Sequence, residues 1–495
     1  MTQLARNFID FARRSPTAFH AADAICASLR ESGFTALNER EPWSLVPGGK
    51  YFVTRNRSAV IALTIPASGM THFQIVASHG DSPAFKLKPA AEETVLGHYV
   101  RLNTEKYGGM MMSTWLDRPL SIAGRLLVRD GGGVSTRLVD LDRDAALIPN
   151  LPIHFNREVN DGYKFNAQTD MLPVFGDETA AGRLAEELAA LAGAKAESIV
   201  GSDLFLYDRT PGRVWGPSGE FFSCGHIDDL ECAYTSLQAF LAAENARQIN
   251  VLAVFDNEEV GSGTKQGADS TFLGDVLARA AAALGAADAQ FRAAAACSFM
   301  VSADNAHAVH PNHPEKYDAD NRAYLNGGVV VKHNATQKYT TDGVSEAIFG
   351  MICAAAGVPT QHFANRSDVA GGSTLGNIAN AHVSMNTVDV GLAQLAMHSV
   401  YETAGTKDAD YMVAALKKFY ETEIVMESDG CYRLKYFRQK TEEPPLTHPG
   451  SRRLFASAYF SLVYLEDTQP LFTRYHTTPR LSFRLSPAYF TASPL

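Results

Sequence analysis

The chain has 495 residues, 46% hydrophobic and 20% charged, and its 44 basic and 54 acidic side chains give a formal net charge of −10 with histidines neutral. That length exceeds one ordinary domain and suffices for a large core, and the acidic balance argues against a general nucleic-acid binder. No run approaches the roughly 20 apolar residues of a membrane span.

The opening "MTQLARNFIDFARRSPTAFHA" has no apolar core followed by small residues, so no secretory signal is expected. Six scattered cysteines without a C-x-x-C pair read as reduced thiols of a cytoplasmic protein. Along the chain, "HFQIVASHGDSP", "RQINVLAVFDNEE", "CSFMVSADNAH" and "AHVSMNTVDVG" each read as a strand running into a polar cluster. Between and after them "LECAYTSLQAFLAAENA", "LGDVLARAAAALGAA", "DGVSEAIFGMICAAAG" and "GLAQLAMHSVYETAG" carry helical patterns. The alternation predicts an α/β domain on a mostly parallel sheet with helices on both faces, whose ligands bind beyond the carboxyl ends of the strands.

Residues 91–221 differ, with short alternating strands and Gly-rich turns, and predict a β-rich domain inserted between 1–90 and 222–425. Residues 426–495 change character again, with seven prolines, twelve aromatics and nine Lys/Arg against six Asp/Glu. Neither helical period nor sustained strand alternation shows there, and a poorly ordered appendage is expected.

The polar clusters hold the chemistry. In "ASHGDSP", His79 can bind a metal while Asp81 accepts its other ring N–H, although a lone H-x-D also occurs as plain structure. In "GHIDDLECAY", Asp228 and Asp229 precede a helix, where an N-cap and a first-turn acid are equally at home. In "FDNEEVGSG", Glu258 and Glu259 are adjacent, and on an extended backbone they would point opposite ways. One would ligate a cation while the other leans toward a bound water. "SADNAHAVHPNHPEK" adds Asp304 and three histidines that also fit a surface loop, and His398 in "GLAQLAMHSVYE" falls within an otherwise apolar helical pattern. Taken together, these residues form a mixed N/O set that suits zinc, with manganese or cobalt as substitutes. Five ligands with one shared carboxylate make a two-metal site, whose charge offsets the repulsion of neighbouring acids.

"SPTAFHA", "SHGDSP", "HIDDLECAYTSLQA", "FDNEEVGSGTKQGADS", "SADNAHAVHPN", "GGSTLGNI" and "MNTVDVGLAQLAMHSVYE" stand in the order found in the aspartyl aminopeptidase family of di-zinc exopeptidases, which residues 5–425 resemble. The resemblance implies two Zn2+ per subunit, with Asp228 bridging, His79 and Asp304 completing one site, and Glu259 and His398 completing the other. It implies Glu258 as general base and Asp81 as the residue orienting His79. His154 matches a histidine that reaches a neighbouring subunit's site, and His307, Lys332 and Tyr339 match substrate contacts. The inserted domain implies self-association, commonly as a homododecamer. Asp229 stands where many relatives have asparagine, which leaves the choice of bridging aspartate open, and the tail has no counterpart.

The expected activity is hydrolysis of the N-terminal residue of peptides, favouring Asp or Glu because an ammonium at Lys332 can pair with an acidic side chain. A broad-specificity aminopeptidase or small amidohydrolase is the alternative on the same metals. A shell-forming or cargo-binding protein with a vestigial site is the alternative from another class.

Overall fold

A computed structural model of the chain describes residues 3–244, 247–428 and 430–436. Phe73–His79, Ile249–Phe255 and Phe299–Ala303 are buried at every position, and Asn386–Gly391 at all but one. Such runs need cover on both faces, which a parallel sheet flanked by helices provides. These four strands lie side by side and parallel at the centre of a nine-stranded sheet. Antiparallel pairing begins on either side, where Ala59–Thr64 meets Ile249–Phe255 and Val329–His333 meets Asn386–Gly391. Thr360–Ala364 closes one edge, parallel to Val329–His333. The expected α/β architecture is therefore present, with a mixed sheet whose centre is parallel.

Alternation along the strands divides the core in two. Val76, Leu252, Val254 and Val301 face the helices Gln3–Arg13, Ala18–Glu31, Ile227–Ala242, Gly343–Ala356 and Asp408–Tyr420. Ile75, Ala77, Val251 and Met300 face Phe272–Ala283, Asp288–Ala296 and Leu375–His382. Removing a fully buried side chain from either layer, as in Ile75→Ala, would cost about 2–5 kcal/mol. The register aligns the strand ends: His79 pairs with Phe255, and Ala303 with Val390. The residues that follow, Asp256 and Asp304, therefore emerge beside His79.

A second, antiparallel sheet of six strands uses residues from Ala84–Val95 to Ile199–Asp208, with its own core around Phe85, Trp115 and Ile122. It begins a few residues before the expected boundary at 90/91. Beyond it, Phe221–Cys224 joins a five-stranded sheet with Glu402–Gly405, Ala393–Leu395 and Ala306–His307.

Two local expectations differ from the structure. His398 is not helical: it lies in the turn joining Ala393–Leu395 to Glu402–Gly405, with φ +66°. Alanine, leucine and methionine favour a helix there, but pairing with Phe221–Cys224 and Ala306–His307 outweighs propensity. Residues on both sides of the expected 425/426 boundary pair as an antiparallel hairpin, Thr422–Ser428 with Cys431–Tyr436. The expected poor order of residues 437–495 lies outside the described residues. Among the described residues no helix is long and apolar enough to cross a membrane, and all six cysteines are free of disulfides.

Candidate active site

The His79 strand ends in the sheet's centre, so its imidazole is fully buried. Nδ1 lies 3.1 Å from the Asp81 carbonyl and 3.4 Å from the Asp81 carboxylate, both acceptors. That places a hydrogen on Nδ1, so a neutral ring would offer the lone pair of Nε2 to a ligand. Nε2 faces Asp228 Oδ1 at 3.7 Å. Asp228 Oδ2 in turn lies 3.4 Å from His398 Nε2, which lies 3.3 Å from Glu259 Oε2. Asp304 closes the group on the His79 side, where ligand atoms of His79, Asp228, Asp229 and Asp304 all come within 4.8 Å of one another. Segments as distant as residues 79 and 398 thus meet in one place.

The two aspartates in the first turn of Ile227–Ala242, both off helical geometry, divide their work. Asp229 spends both oxygens on the backbone, accepting from the N–H of His79 at 3.1 Å and of Asn305 at 3.2 Å. Asp228 keeps Oδ1 buried without a hydrogen-bond partner, as does Glu259 with its Oε1. Buried carboxylate oxygens cost heavily when left unpaired. These are donors that a cation would satisfy, so the residues present fit a metal.

Electrostatics give the same answer. Burial, with Asp228 beside it, pushes Glu259 well above the ordinary carboxyl range. Burial likewise raises Asp304, against the opposing pull of Lys332. Glu258 is pushed up to about 7 by burial, with Asp304, Asp81 and Asp228 adding to it and His79 opposing. Burial works against a charge on His79, but Asp229, Asp81 and Glu258 outweigh it and hold its pKa well above normal. Asp228 goes the other way: burial opposes its charge, but the His398 hydrogen bond and the charges of His79, His398 and Lys332 hold it below the ordinary range. A cation beside the raised acids would offset their burial.

Glu258 and Glu259 do not continue an extended strand. Asn257 takes a left-handed conformation at φ +63°, and Glu258–Val260 forms a short 3-10 turn. Both glutamates therefore line the same pocket. The turn is held by Asp81, whose carboxylate accepts from the N–H groups of Glu258 at 3.1 Å and Glu259 at 3.2 Å. The carboxylate expected to orient His79 thus also fixes the loop of the two glutamates.

The pocket encloses about 190 Å³ and is walled by His307, Lys332, Tyr339, Phe363 and Thr374 around the acids. The Lys332 ammonium is buried, 3.5 Å from Asp304 and 3.2 Å from the Asn305 carbonyl, over the Tyr339 ring. Asp389 holds the Tyr339 and Thr374 loops together, accepting from the hydroxyls of Thr340 at 2.6 Å and Thr374 at 2.8 Å. His154 is exposed and is not among the residues lining this pocket. His310 and His313 likewise lie away from it, in contact with each other.

Several supporting residues escaped the sequence. Glu402 accepts from the N–H of Asp228 at 3.1 Å and of His398 at 2.8 Å, holding both from behind. Its position four residues after His398 was the available clue. Tyr107, at the end of a strand of the six-stranded sheet, donates to Asp81 Oδ2 at 2.7 Å and accepts from Asn257 Nδ2 at 2.8 Å. No local signal marks it, because its partners are far away in sequence.

An α/β sheet whose strand ends gather imidazoles and carboxylates around one pocket has the form of a metal-dependent hydrolase site. Residues 11–420 match the family described as aminopeptidase I zinc metalloprotease (M18), and the chain belongs to that family. It is 45% identical over 426 residues to a probable M18 family aminopeptidase 2 of Clostridium acetobutylicum, covering 84% of this chain and 98% of that one. Among solved structures it is similar to a chain in a cryo-EM structure of the Ape4 and Nbr1 complex, with a TM-score of 0.82, 36% identity, and coverage of 84% of this chain and 85% of that one. A structure of the S. cerevisiae mApe1 dodecamer matches with a TM-score of 0.75 and 27% identity, over 84% of this chain and 96% of that one. The chain is thus a metallo-aminopeptidase by family.

Proposed function

We propose that the protein removes the N-terminal residue of peptides with a two-zinc centre and favours Asp or Glu at that position. In this reading His79 and Asp304 would hold one ion, Glu259 and His398 would hold the other, and Asp228 would be shared by both. Manganese or cobalt would serve as substitutes in the same mixed N/O set. The single observation that carries it is the Asp228 carboxylate, one oxygen facing His79 and the other facing His398. When bound, the ions supply Lewis acidity toward water and the scissile carbonyl.

The chain's own residues do the rest. Glu258, with its pKa lifted to about 7, removes a proton from the attacking water. It returns that proton to the nitrogen of the leaving amine as the C–N bond breaks and the new C–O bond remains. The free α-amino group would anchor beside the metal centre and its carboxylates, which favours cutting only at the chain end. Asp81, oriented by Tyr107, keeps His79 and the glutamate turn in register. Lys332 stands in the pocket wall to meet an acidic side chain, with Tyr339 and His307 beside it.

Self-association belongs to the proposal, as a homododecamer. Its support is the dodecameric relative and the exposed Leu151, Ile153 and Phe155 that flank His154, placed to carry that imidazole toward a neighbouring subunit. A cytoplasmic setting rests on the unpaired thiols. The test is turnover of Asp-, Glu-, Leu- and Lys-arylamides with chelator, then with zinc restored. Turnover of the acidic substrates first, lost with chelator and regained with zinc, supports the reading. Equal rates across the four leave a broad aminopeptidase, and turnover untouched by chelator overturns the metal requirement.

A further inference from the structure

A second histidine–carboxylate cluster lies outside the pocket, at the edge of the same sheet. Along Val329–His333, Lys332 points into the pocket, so alternation turns His333 to the opposite face. On the paired edge strand, Phe363 lines the pocket and His362 turns away with His333. The helix Gly343–Ala356 packs on that face and supplies Glu346.

The three side chains come from three separate elements and converge. His333 Nε2 lies 3.2 Å from His362 Nδ1, which lies 3.3 Å from Glu346 Oε1. The third edge, from His333 Nε2 to Glu346 Oε1, is 3.9 Å. A point equidistant from these three atoms sits about 2.0 Å from each, the length of a zinc–nitrogen or zinc–oxygen bond. The active-site group has edges of the same size, 3.3 Å from His398 to Glu259 and 3.7 Å from His79 to Asp228.

We propose that His333, His362 and Glu346 form a further divalent-cation site, separate from the catalytic centre and selective for zinc-like ions. Two imidazoles and one carboxylate leave a fourth position open, and the side chains are 30% to 49% exposed, so water can fill it. Both facing nitrogens must be free of hydrogen to bind, which two neutral imidazoles achieve by placing their hydrogens on His333 Nδ1 and His362 Nε2. The ion would tie the edge strand to its neighbour and to the helix packed on that face. The two strands it joins also carry Lys332 and Phe363 of the pocket wall.

The test counts zinc per subunit in the full-length protein, His362→Ala and Glu346→Gln, each dialysed against the same buffered micromolar zinc. Both variants should carry one ion fewer than the parent while retaining its arylamide turnover. The difference is independent of how many ions the catalytic centre holds. If His362→Ala fails to fold, Glu346→Gln, which keeps the side chain's shape, gives the count. Equal counts in parent and variants would overturn the site and leave a hydrogen-bonded imidazole pair.

Discussion

The two histidine–carboxylate clusters use similar donor atoms at similar spacings, yet their surroundings differ. The active-site group sits at the ends of parallel strands, with His79, Asp228 and Asp229 almost wholly buried and orphan oxygens on Asp228 and Glu259. The edge group of His333, Glu346 and His362 is partly open to water. In the first, burial raises Glu259 and Asp304 above the ordinary carboxyl range, a cost that a cation beside them would offset. Solvent makes a cation optional for the second.

That contrast can be broken or sharpened by experiment. The largest effect should come from chelation, which is expected to remove essentially all arylamide turnover and to leave it recoverable by zinc. Next comes Glu258→Gln, expected to lower turnover by about 10²–10⁴-fold while metal content per subunit stays at the parent's value. A fully active variant would show that the proton is carried elsewhere.

The hydrogen bond from Tyr107 to Asp81 predicts a smaller loss. Tyr107→Phe should cost about 10-fold in turnover or zinc affinity, as loss of an outer-sphere partner commonly does. Elemental analysis at limiting zinc separates the two outcomes, and unchanged values in both would remove Tyr107 from the account. Lys332→Met should erase most of the preference for Asp- over Leu-arylamide while sparing the Leu substrate. An unchanged ratio would assign Lys332 to Asp304 alone. Smallest of all, His362→Ala should leave turnover of every arylamide at the parent's level.

Strand ends were the most legible part of the sequence. His79 closes a buried strand while Glu258, Glu259 and Asp304 follow one, and the parallel register brings those strand ends level. Local pattern failed where pairing across the molecule decides the outcome. "GLAQLAMHSVYE" has helical composition but folds as a hairpin turn, because flanking strands claim its backbone. Glu258 and Glu259 share one pocket because Asn257 turns the chain and Asp81 caps the turn, which nearest-neighbour alternation does not anticipate. Tyr107 and Glu402 act on groups brought to them by the fold, and His333 with His362 become neighbours only through strand pairing.

Diffraction from zinc-loaded crystals, measured at the zinc absorption edge, tests the central claim most directly. Two strong peaks are expected at the pocket, one between His79, Asp228 and Asp304 and one between Asp228, Glu259 and His398. An anomalous map with no zinc beside Asp228, from fully active protein, would contradict it.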